Sequence, residues 1–279
     1  MTRMARLQLR CIWWSVVLWC SAACFGTSAQ GNALRLEAIS IEQGLSAASA
    51  QCIAQDKRGF LWVGTHDGLN RYDGASFTSY RHDARDTASL SVNNIWALLV
   101  DHTDTLWIGT RGGGLCRYER SRDGFTCYRR EGPQGLSSDI ILTLYEDRTR
   151  TFWAGTLGGG LCRYDRERDR FTCFQTQLPH QDVRALYEAR DGTFWVGTQG
   201  GGLCRFDRAQ GTCTTFRNLP GQPQSLSSNS ILSITEDHAG TLWIGTLGGG
   251  LVRFDQPNNR FFTYIFFITI THNKYSIYV

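Results

Sequence analysis

The sequence predicts an all-β fold, a β-propeller of four-stranded antiparallel blades, and two observations lead to this class. First, a segment of the form LWIGT, a glycine run and LCRYD recurs five times, with its tryptophans 42 to 48 residues apart, at Trp62, Trp107, Trp153, Trp195 and Trp243. Second, the apolar runs within each repeat are four to seven residues long, a length typical of strands and too short for helices. Repeats of this kind cannot bury their own faces, so they are expected to stack around a common axis.

The last repeat shows the elements of one blade in order. Its sequence predicts a first strand over 231–237 and a second over 242–246, the LWIGT segment. A glycine run at 248–250 leads to a third strand over 251–255, and a polar turn leads to a fourth over 261–264. Strands that follow one another through tight turns pair in antiparallel fashion, so each repeat is expected to form one sheet.

The first strand of each repeat has a small residue at the same central position: Cys52, Ala97, Thr143, Ala185 and Ser233. The innermost strands of a propeller converge on the axis, and crowding there favours small side chains. Cys52 is therefore interpreted as a buried structural thiol and not as a nucleophile. The recurring tryptophans are expected to pack between blades, because aromatic rings bury large areas.

Six cysteines occur as three pairs, and we predict a disulfide for each: Cys116–Cys127, Cys162–Cys173 and Cys204–Cys213. Pairing Tyr118 with Phe125 across the predicted hairpin places Cys116 directly opposite Cys127, and directly opposed Cβ atoms come within bonding distance. The loop of the third pair is two residues shorter, so its register stays open. The alternative is free thiols that act as small apolar side chains. The sequence has no CxxC motif and no histidine cluster, so no metal site is predicted.

Residues 1–29 have the features of a secretory signal peptide. Basic residues precede an apolar stretch of about 15 residues, and small residues follow at a possible cleavage site. An uncleaved membrane anchor is the alternative. Export to the periplasm implies an oxidising compartment, which agrees with paired cysteines. The formal net charge is +4, and the three arginines of the leader account for most of it, so no nucleic-acid partner is expected.

The repeats span 34–264, and the flanking segments suggest an incomplete array. Residues 34–41 resemble the fourth strand of a blade, although the fifth repeat already has its own fourth strand. Residues 265–279 change in composition and start no sixth repeat, so we expect a truncated or frame-shifted gene. Five blades could close into a ring or form an open arc, and exposed blade edges would favour self-association.

These residues resemble the two-component regulator propeller repeat family over about 34–264. The resemblance is carried by GLSSDIILTLYED, LWIGT, the GGGL turn and RYD. It implies a fragment of a seven-bladed or double seven-bladed array from the periplasmic sensor region of a hybrid histidine kinase. The implied role is to bind an extracellular ligand, for which an oligosaccharide is one candidate. The sequence contains no kinase motif, so the chain is expected to bind without signalling alone, and to reach a membrane only through missing downstream segments or an uncleaved leader.

Two loop positions differ from repeat to repeat, although the residues next to them do not. Both positions are candidate ligand contacts. One precedes the glycine run and holds His66, Arg111, Leu157, Gln199 and Leu247, of which His66, Arg111 and Gln199 are polar. The other precedes the first strand and includes Asn93, Asp139, Gln181 and Asn229. Variable side chains on a constant backbone are what a tailored binding surface needs. The alternative is that these positions are simply tolerant of change.

The sequence argues against an enzyme and predicts no cofactor. Propeller glycosidases place two or three carboxylates at the axis, whereas the acidic residues here recur at the ends of strands, at Asp56, Asp101, Asp147 and Asp237. A catalytic set should interrupt the repeat and not follow it. The alternatives to a sensor region are a stand-alone carbohydrate-binding or scaffold propeller and, less favoured, a propeller lyase or glycosidase.

Overall fold

The computed structural model describes residues 39–132, 135–264, 267–271 and 274–278, the last two ranges for the backbone only. The predicted signal peptide at 1–29 lies outside the described residues. Each of the five repeats forms one four-stranded antiparallel sheet with its strands in sequence order, so the predicted fold class is confirmed. The first three blades consist of β1 (Ala50–Gln55), β2 (Leu61–Thr65), β3 (Gly68–Tyr72) and β4 (Phe77–Tyr80); β5 (Ile95–Val100), β6 (Leu106–Thr110), β7 (Leu115–Glu119) and β8 (Gly124–Tyr128); and β9 (Ile141–Glu146), β10 (Phe152–Thr156), β11 (Leu161–Asp165) and β12 (Arg170–Phe174).

The two remaining blades follow the same order. They consist of β13 (Val183–Glu188), β14 (Phe194–Thr198), β15 (Gly202–Asp207) and β16 (Thr212–Phe216), and of β17 (Ile231–Glu236), β18 (Leu242–Thr246), β19 (Gly250–Asp255) and β20 (Arg260–Tyr264). The tail predicted at 265–279 contains a separate two-stranded sheet, formed by β21 (Phe267–Thr271) and β22 (Lys274–Tyr278).

The strand predicted over residues 34–41 is not present in its described part. Residues 39 and 40 are not in a strand, and a 3₁₀-helix spans Ile41–Gln43. A capping box explains this turn: the Ser40 side chain accepts from the Glu42 amide, and Gln43 Oε1 accepts from the Ser40 amide at 2.8 Å. Gly44 ends the helix with a left-handed φ of 105°. Local capping therefore prevails over the strand-like alternation of this segment.

Each of the first four blades packs its tryptophan face against the next blade along the chain. The ring centroids of Trp62 and Tyr118 are 4.9 Å apart, and those of Trp107 and Phe152 are 4.6 Å apart. In the first four blades the tryptophan side chain is almost fully buried, at no more than 1% exposure. The expectation that these tryptophans pack between blades is confirmed.

The glycine of the LWIGT segment lets the next blade approach closely. A Cβ atom on Gly109 would lie 2.8 Å from Ile141 of the following blade and 3.1 Å from Ala97 of its own inner strand. The same holds for Gly64, Gly155 and Gly197, where Ile95, Val183 and Ile231 fill the space. The small central residue of the first strand is therefore needed beside this glycine and the side chain that covers it.

An aspartate at the end of the first strand connects one blade to the next. Asp101 Oδ1 accepts from the amides of Thr103 and Thr105, while Oδ2 accepts from Trp107 Nε1 at 2.9 Å. Arg166 of the following blade reaches the same carboxylate at 3.0 Å. Asp56 with Arg120 and Asp147 with Arg208 repeat this arrangement. We call the combination of aspartate, tryptophan and arginine the blade latch.

The junction between the fourth and fifth blades lacks both the aspartate and the arginine of the latch. Ala189 stands where the other blades have aspartate, and the buried Trp195 Nε1 has no hydrogen-bond partner among the described residues. In the fifth blade, Gln256 stands where an arginine would reach that position. The acid and the base are thus lost together, which identifies them as two halves of one contact.

The three predicted disulfides are all present. Cys116 is directly opposite Cys127, and Cys162 is directly opposite Cys173. The third, Cys204–Cys213, joins residues that are diagonal across the sheet, because Cys204 pairs with Thr215 and Cys213 pairs with Phe206. Cys52 is a free thiol, and burial raises its pKa to about 12, as expected for a structural position.

The five blades do not close into a ring. The inner strands lie side by side in chain order, from β1 through β5, β9 and β13 to β17, and within the described ranges no comparable packing joins the first blade to the fifth. The outer faces of the array are accordingly open: Ile53 in the first blade is 64% exposed, and Trp243 in the fifth is only half-buried. Self-association through these faces stays a prediction.

Candidate functional site

The turns between the second and third strands form one edge of the array, and they carry the first set of candidate residues. The backbone of these turns is constant, because glycines with positive φ such as Gly112 and Gly114 allow the third strand to start close to the fourth. A Cβ atom on Gly114 would lie 2.0 Å from the Tyr128 carbonyl oxygen. The residue before the glycines points away from this frame: His66, Arg111 and Leu247 are exposed, and Leu157 and Gln199 are half-buried.

A β-bulge at the start of each inner strand brings a second residue to the same edge. Pairing shifts by one residue at this point in all five blades, for example between Ile95 and Ala97. A bulge of this kind turns one side chain away from the face that strict strand alternation would give it. The bulged residues are Gln51, Trp96, Leu142, Arg184 and Leu232. Together with the five turn residues they make up what we call the hairpin rim.

In two blades the turn residue and the bulged residue are in direct contact. The Arg111 guanidinium lies over the Trp96 ring, 4.9 Å from its centroid. Arg184 Nε donates a hydrogen bond to Gln199 Oε1. The third and fifth blades have leucines at both positions, and in the fifth these leucines are exposed. The chemistry of the rim therefore differs from blade to blade on one repeated backbone.

Sequence reasoning found the turn residues but missed Trp96 and Arg184. The alternation of a strand assigns each residue to one of its two faces, and a bulge breaks that rule at a single position. The only available signal was the repeat itself, since this position varies from Gln to Trp, Leu and Arg while both of its neighbours stay apolar or small.

The residues of the second candidate set lie beside the rim and have a structural role. The carbonyl oxygen of Asp139 accepts from the amides of Gly112 and Gly114 of the preceding blade, at 2.9 and 2.8 Å. Asn93, Gln181 and Asn229 make the same kind of bond to glycines of the blades before them. The side chains of Asn93, Asp139 and Asn229 also accept a backbone amide, from His82, Arg130 and Asn218 respectively. Gln181 is exposed. These residues fix the inter-blade loops that support the rim.

The grooves between strands lie at the opposite edge of the blades. One groove has a volume of about 510 Å³ and is lined by residues that include Phe194, Arg205 and Arg208. Arg208 is the arginine that joins the blade latch at Asp147. There, burial raises the pKa of Asp147, but bonds from Thr149, Trp153, the Thr151 amide and Arg208 outweigh it, so the pKa lies below its ordinary value. The Asp147 carboxylate is thus fully engaged in structural contacts. In the described part of the chain, no three His, Cys, Asp or Glu side chains are grouped as metal ligands.

Comparison with known proteins agrees with this architecture. The model of the family described as "Two component regulator propeller" matches residues 44–67, 89–112, 177–200 and 225–248, which begin the first, second, fourth and fifth repeats. The chain therefore carries two-component regulator propeller repeats, and the resemblance drawn from the sequence is confirmed. A curated relative, Histidine kinase P4 from Formosa agariphila, is 42% identical over 77 residues, which cover 28% of this chain and 6% of the kinase.

Solved structures show the same relationship. The extracellular domain of a B. thetaiotaomicron protein described as a hybrid two component system superposes with a TM-score of 0.72 at 28% identity, covering 86% of this chain and 34% of that domain. This chain thus spans about a third of that structure. Virginiamycin B lyase from Staphylococcus aureus superposes with a TM-score of 0.59 at 16% identity, covering 79% and 71% of the two chains; that likeness is one of fold alone.

The chain is thus similar to the extracellular propeller domain of two-component systems. Three disulfides and this likeness indicate an extracytoplasmic protein. In the part of the chain that the structure describes, no helix is both long and apolar enough to cross a bilayer.

Proposed function

We propose that this chain is a periplasmic ligand-sensing propeller of a two-component regulatory system, which binds an extracellular ligand at the hairpin rim without catalysis. The observation that carries the proposal is the rim itself. Five blades repeat their turns, glycines and core side chains, yet four different pairs of residues occupy this edge, with two leucines in both the third and the fifth blade. A surface of this design gives a single fold a ligand-specific set of contacts.

The residues at the rim suggest a sugar-like ligand with acidic groups. Trp96 offers an aromatic ring of the kind on which the apolar face of a sugar packs, and Arg111 lies over that ring as a neighbouring cation. Arg184 and Gln199 provide donors in the fourth blade, and an arginine fork suits a carboxylate or sulfate. Output to a kinase would have to come from segments outside this chain.

Binding of oxidised, exported protein to an array of neutral and acidic oligosaccharides tests the proposal. We expect selective binding that weakens at least about tenfold in Arg111→Ala, the loss that removal of one charge-assisted contact of roughly 1.4 kcal/mol produces. Arg168→Ala is the matched control, because the Arg168 side chain is 74% exposed at the opposite edge and forms its ion pair, among the described residues, with Asp165. No binding to any array member, or equal loss in both variants, would reject the rim as the binding surface.

Non-catalytic binding is the favoured form of this proposal because the recurring carboxylates hold tryptophans and arginines at the other edge. Recovery of the bound oligosaccharide unchanged after prolonged incubation is the expected result. Cleavage or elimination products that disappear in a rim variant would instead favour a propeller lyase or glycosidase.

A further inference from the structure

The third strand of every blade carries an arginine at the same position: Arg71, Arg117, Arg163, Arg205 and Arg253. In the first two blades this side chain is half-buried and bonded to the next blade, whereas in the third and fourth blades it is exposed. We infer that Arg205 and the groove beside it form a binding site for the carboxylate of a small hydroxy acid, such as a sugar acid. The site lies at the edge opposite the hairpin rim and does not depend on ligand binding there.

The first two junctions show what the third-strand arginine binds when its partners are present. Arg117 Nη1 donates to the Tyr164 hydroxyl of the next blade at 3.3 Å and lies 3.8 Å from Asp169 Oδ1. The corresponding residues of the first junction are Arg71, Tyr118 and Asp123. The arginine is therefore positioned to hold a carboxylate that another part of the protein supplies.

The junction between the fourth and fifth blades keeps the arginine but has lost these partners. Phe254 stands at the position of the tyrosine, and Asn259 stands at the position of the aspartate. Asn259 has a φ of 51°, and Asp169 has a φ of 50°, so the turn has the same shape and lacks only the charge. Arg205 forms no hydrogen bond or ion pair with any residue that the structure describes.

Arg205 also lacks the aromatic contact that other third-strand arginines make. The guanidinium groups of Arg71 and Arg117 each lie 5.8 Å from the centroid of the tryptophan ring in their own blade. Arg253 lies 4.7 Å from the centroid of Phe262. No described aromatic ring lies that close to the Arg205 guanidinium. Its charge is therefore available to a ligand, since no structural contact in the described part of the chain uses it.

The groove beside Arg205 has the volume of a small-ligand site, about 510 Å³. Arg205 is directly opposite Thr214 in the sheet, and Asp207 is directly opposite Thr212. These four residues therefore share one face, and all of them line the groove together with Thr193. Asp207 Oδ1 accepts two backbone amides of its own turn, whereas Oδ2 accepts no hydrogen bond from a described residue.

This set of groups favours a ligand that has both a carboxylate and hydroxyl groups. The arginine fork matches the two oxygens of a carboxylate. A bare anion would be repelled by Asp207, and a cation would be repelled by Arg205. A hydroxy acid bonds Arg205 through its carboxylate and donates hydroxyl protons to Asp207, with the threonine hydroxyls as further partners. A free sugar acid and an acidic unit of an oligosaccharide share this chemistry.

Methyl NMR spectra of the full, oxidised chain with labelled threonine test the site directly. On titration with sodium D-glucuronate we expect saturable shifts of the Thr212 and Thr214 methyl signals. Thr126 is the internal reference, because it is directly opposite Arg117, whose partners are in place. No saturable shift at Thr212 and Thr214, or an equal shift at Thr126, overturns the inference.

Three further ligands define the chemistry that the groove recognises. D-Glucose has the hydroxyl groups without the carboxylate, and sodium sulfate has the charge without the hydroxyl groups. An equal response to either compound overturns the inference. An oligosaccharide of glucuronate units, compared at the same concentration of units, separates the two sources of the ligand. Tighter binding of the oligosaccharide identifies a glycan, and equal binding identifies a free acid.

Arg205→Ala should weaken glucuronate binding at least about tenfold, because the charge-assisted bonds to the carboxylate are lost. The unfolding midpoint should stay the same, since the side chain is exposed and bonds no described residue. Arg111→Ala at the hairpin rim should leave the Thr212 and Thr214 shifts unchanged, so failure at the groove and failure at the rim can be told apart. Unchanged affinity in Arg205→Ala overturns the inference.

A variant that supplies its own carboxylate gives an independent test. Phe254→Tyr together with Asn259→Asp restores the partners that Arg117 has at its junction, so the fifth blade should compete with the ligand for Arg205. We expect glucuronate binding to weaken at least about tenfold. Asn258→Asp is the matched control, because it adds the same charge one position away. Unchanged affinity in the double variant, or an equal loss in the control, overturns the inference.

Discussion

At the scale of single residues, the latch shows how one side chain serves three purposes. Asp147 holds its own turn through the amides of Thr149 and Thr151, orients Trp153, and receives Arg208 from the next blade. Ala189 can do none of these, and Trp195 retains an unsatisfied indole N–H as a result. A buried donor without a partner costs about 1–3 kcal/mol of folding free energy. The junction between the fourth and fifth blades is therefore less stable than a junction with a complete latch.

Restoring the latch at the fourth junction is expected to stabilise the protein. Ala189→Asp together with Gln256→Arg should raise the free energy of unfolding by about 1–2 kcal/mol, because the pair satisfies the Trp195 indole and forms an ion pair across the junction. Ala189→Asp alone should give little or no gain, since it buries a carboxylate without its arginine. Chemical denaturation of the four members of this double-mutant cycle measures the coupling, and strictly additive effects would contradict it.

Cys52 is predicted to be inert in the folded protein. Its pKa of about 12, raised by burial, leaves almost no thiolate at pH 8, and thiolate is the reactive form. Iodoacetamide should therefore label the peptide containing Cys52 only after denaturation, while the six disulfide cysteines need reduction first. Rapid labelling of Cys52 in the native protein at pH 8 would show that the thiol is accessible and ionised.

At the scale of the element, one register position fastens the hairpin of the outer strands in the first three blades. The second and third blades use a disulfide there, whereas in the first blade Ser79 donates to Asn70 Oδ1 at 2.8 Å and Asn70 Nδ2 reaches Ser46. Each of these two disulfides joins residues 11 positions apart. Such a cross-link lowers the entropy of the unfolded chain and so stabilises the folded state by about 3 kcal/mol.

The LWIGT glycine is predicted to matter only where another blade follows. Gly197→Ala places a methyl group 2.6 Å from Ile231 and 3.0 Å from Ala185, so a loss of about 2–4 kcal/mol is expected from overpacking of a rigid junction. Gly245→Ala, the matched change in the fifth blade, should cost clearly less, because the single close atom is a hydroxyl that can rotate away. Equal destabilisation in thermal unfolding would show that the requirement lies within the blade.

The latch also predicts a dependence of stability on pH. The folded pKa values of Asp101 and Asp147 lie below their ordinary values, since hydrogen bonds from Thr, Trp and Arg groups exceed the opposing effect of burial. A lowered folded pKa gives stability that is complete above the unfolded pKa of about 3.9 and is lost as pH falls through the folded value. Asp147→Asn should flatten this acid limb in denaturation curves, and an unchanged limb in this variant would contradict the prediction.

At the scale of the whole molecule, the described blades form a row of sheets in which each packs against its neighbours along the chain. Stability in such an array is close to a sum of blade and junction contributions. The central blade has two complete junctions, and all residues of β10 are buried. The outer blades have one junction each, and residues of β18 are partly exposed.

Opening of the array is therefore expected to begin at its ends. Native-state hydrogen exchange should show β10 amides more strongly protected than those of β18, by roughly a hundredfold if one junction contributes about 2.7 kcal/mol. The comparison uses equivalent LWIGT-type strands, so intrinsic exchange rates differ little. Uniform protection across all five blades would indicate a single cooperative unit and contradict the additive picture.

Much of this structure is predictable from the sequence because repetition supplies five readings of one pattern. The strand order, the tryptophan packing and the opposed Cys116–Cys127 and Cys162–Cys173 pairs all follow from aligning the repeats. The register of the hairpin that holds Cys204 and Cys213 could not be predicted, because its shorter turn changes the strand pairing and makes the bridge diagonal. The predicted leading strand is absent at residues 39–41, its described part, for a local reason, since Ser40 and Gln43 cap a helical turn.

The candidate site was predictable only in part. His66, Arg111 and Gln199 stand out because they vary next to invariant glycines, whereas Trp96 and Arg184 reach the rim through a bulge that alternation does not reveal. Asn93, Asp139 and Asn229 look variable in the sequence, yet their side chains bond loop amides. Variation by itself does not separate a binding role from a supporting one.

The sequence alone determined the blade, since strand length, turn chemistry and repeat period act locally and recur five times. Only the tertiary structure decided how blades meet. Which carboxylate receives which arginine, which glycine must stay bare, and which faces are left open depend on contacts between residues more than 40 positions apart. Such contacts are set by packing between sheets, and no single repeat contains them.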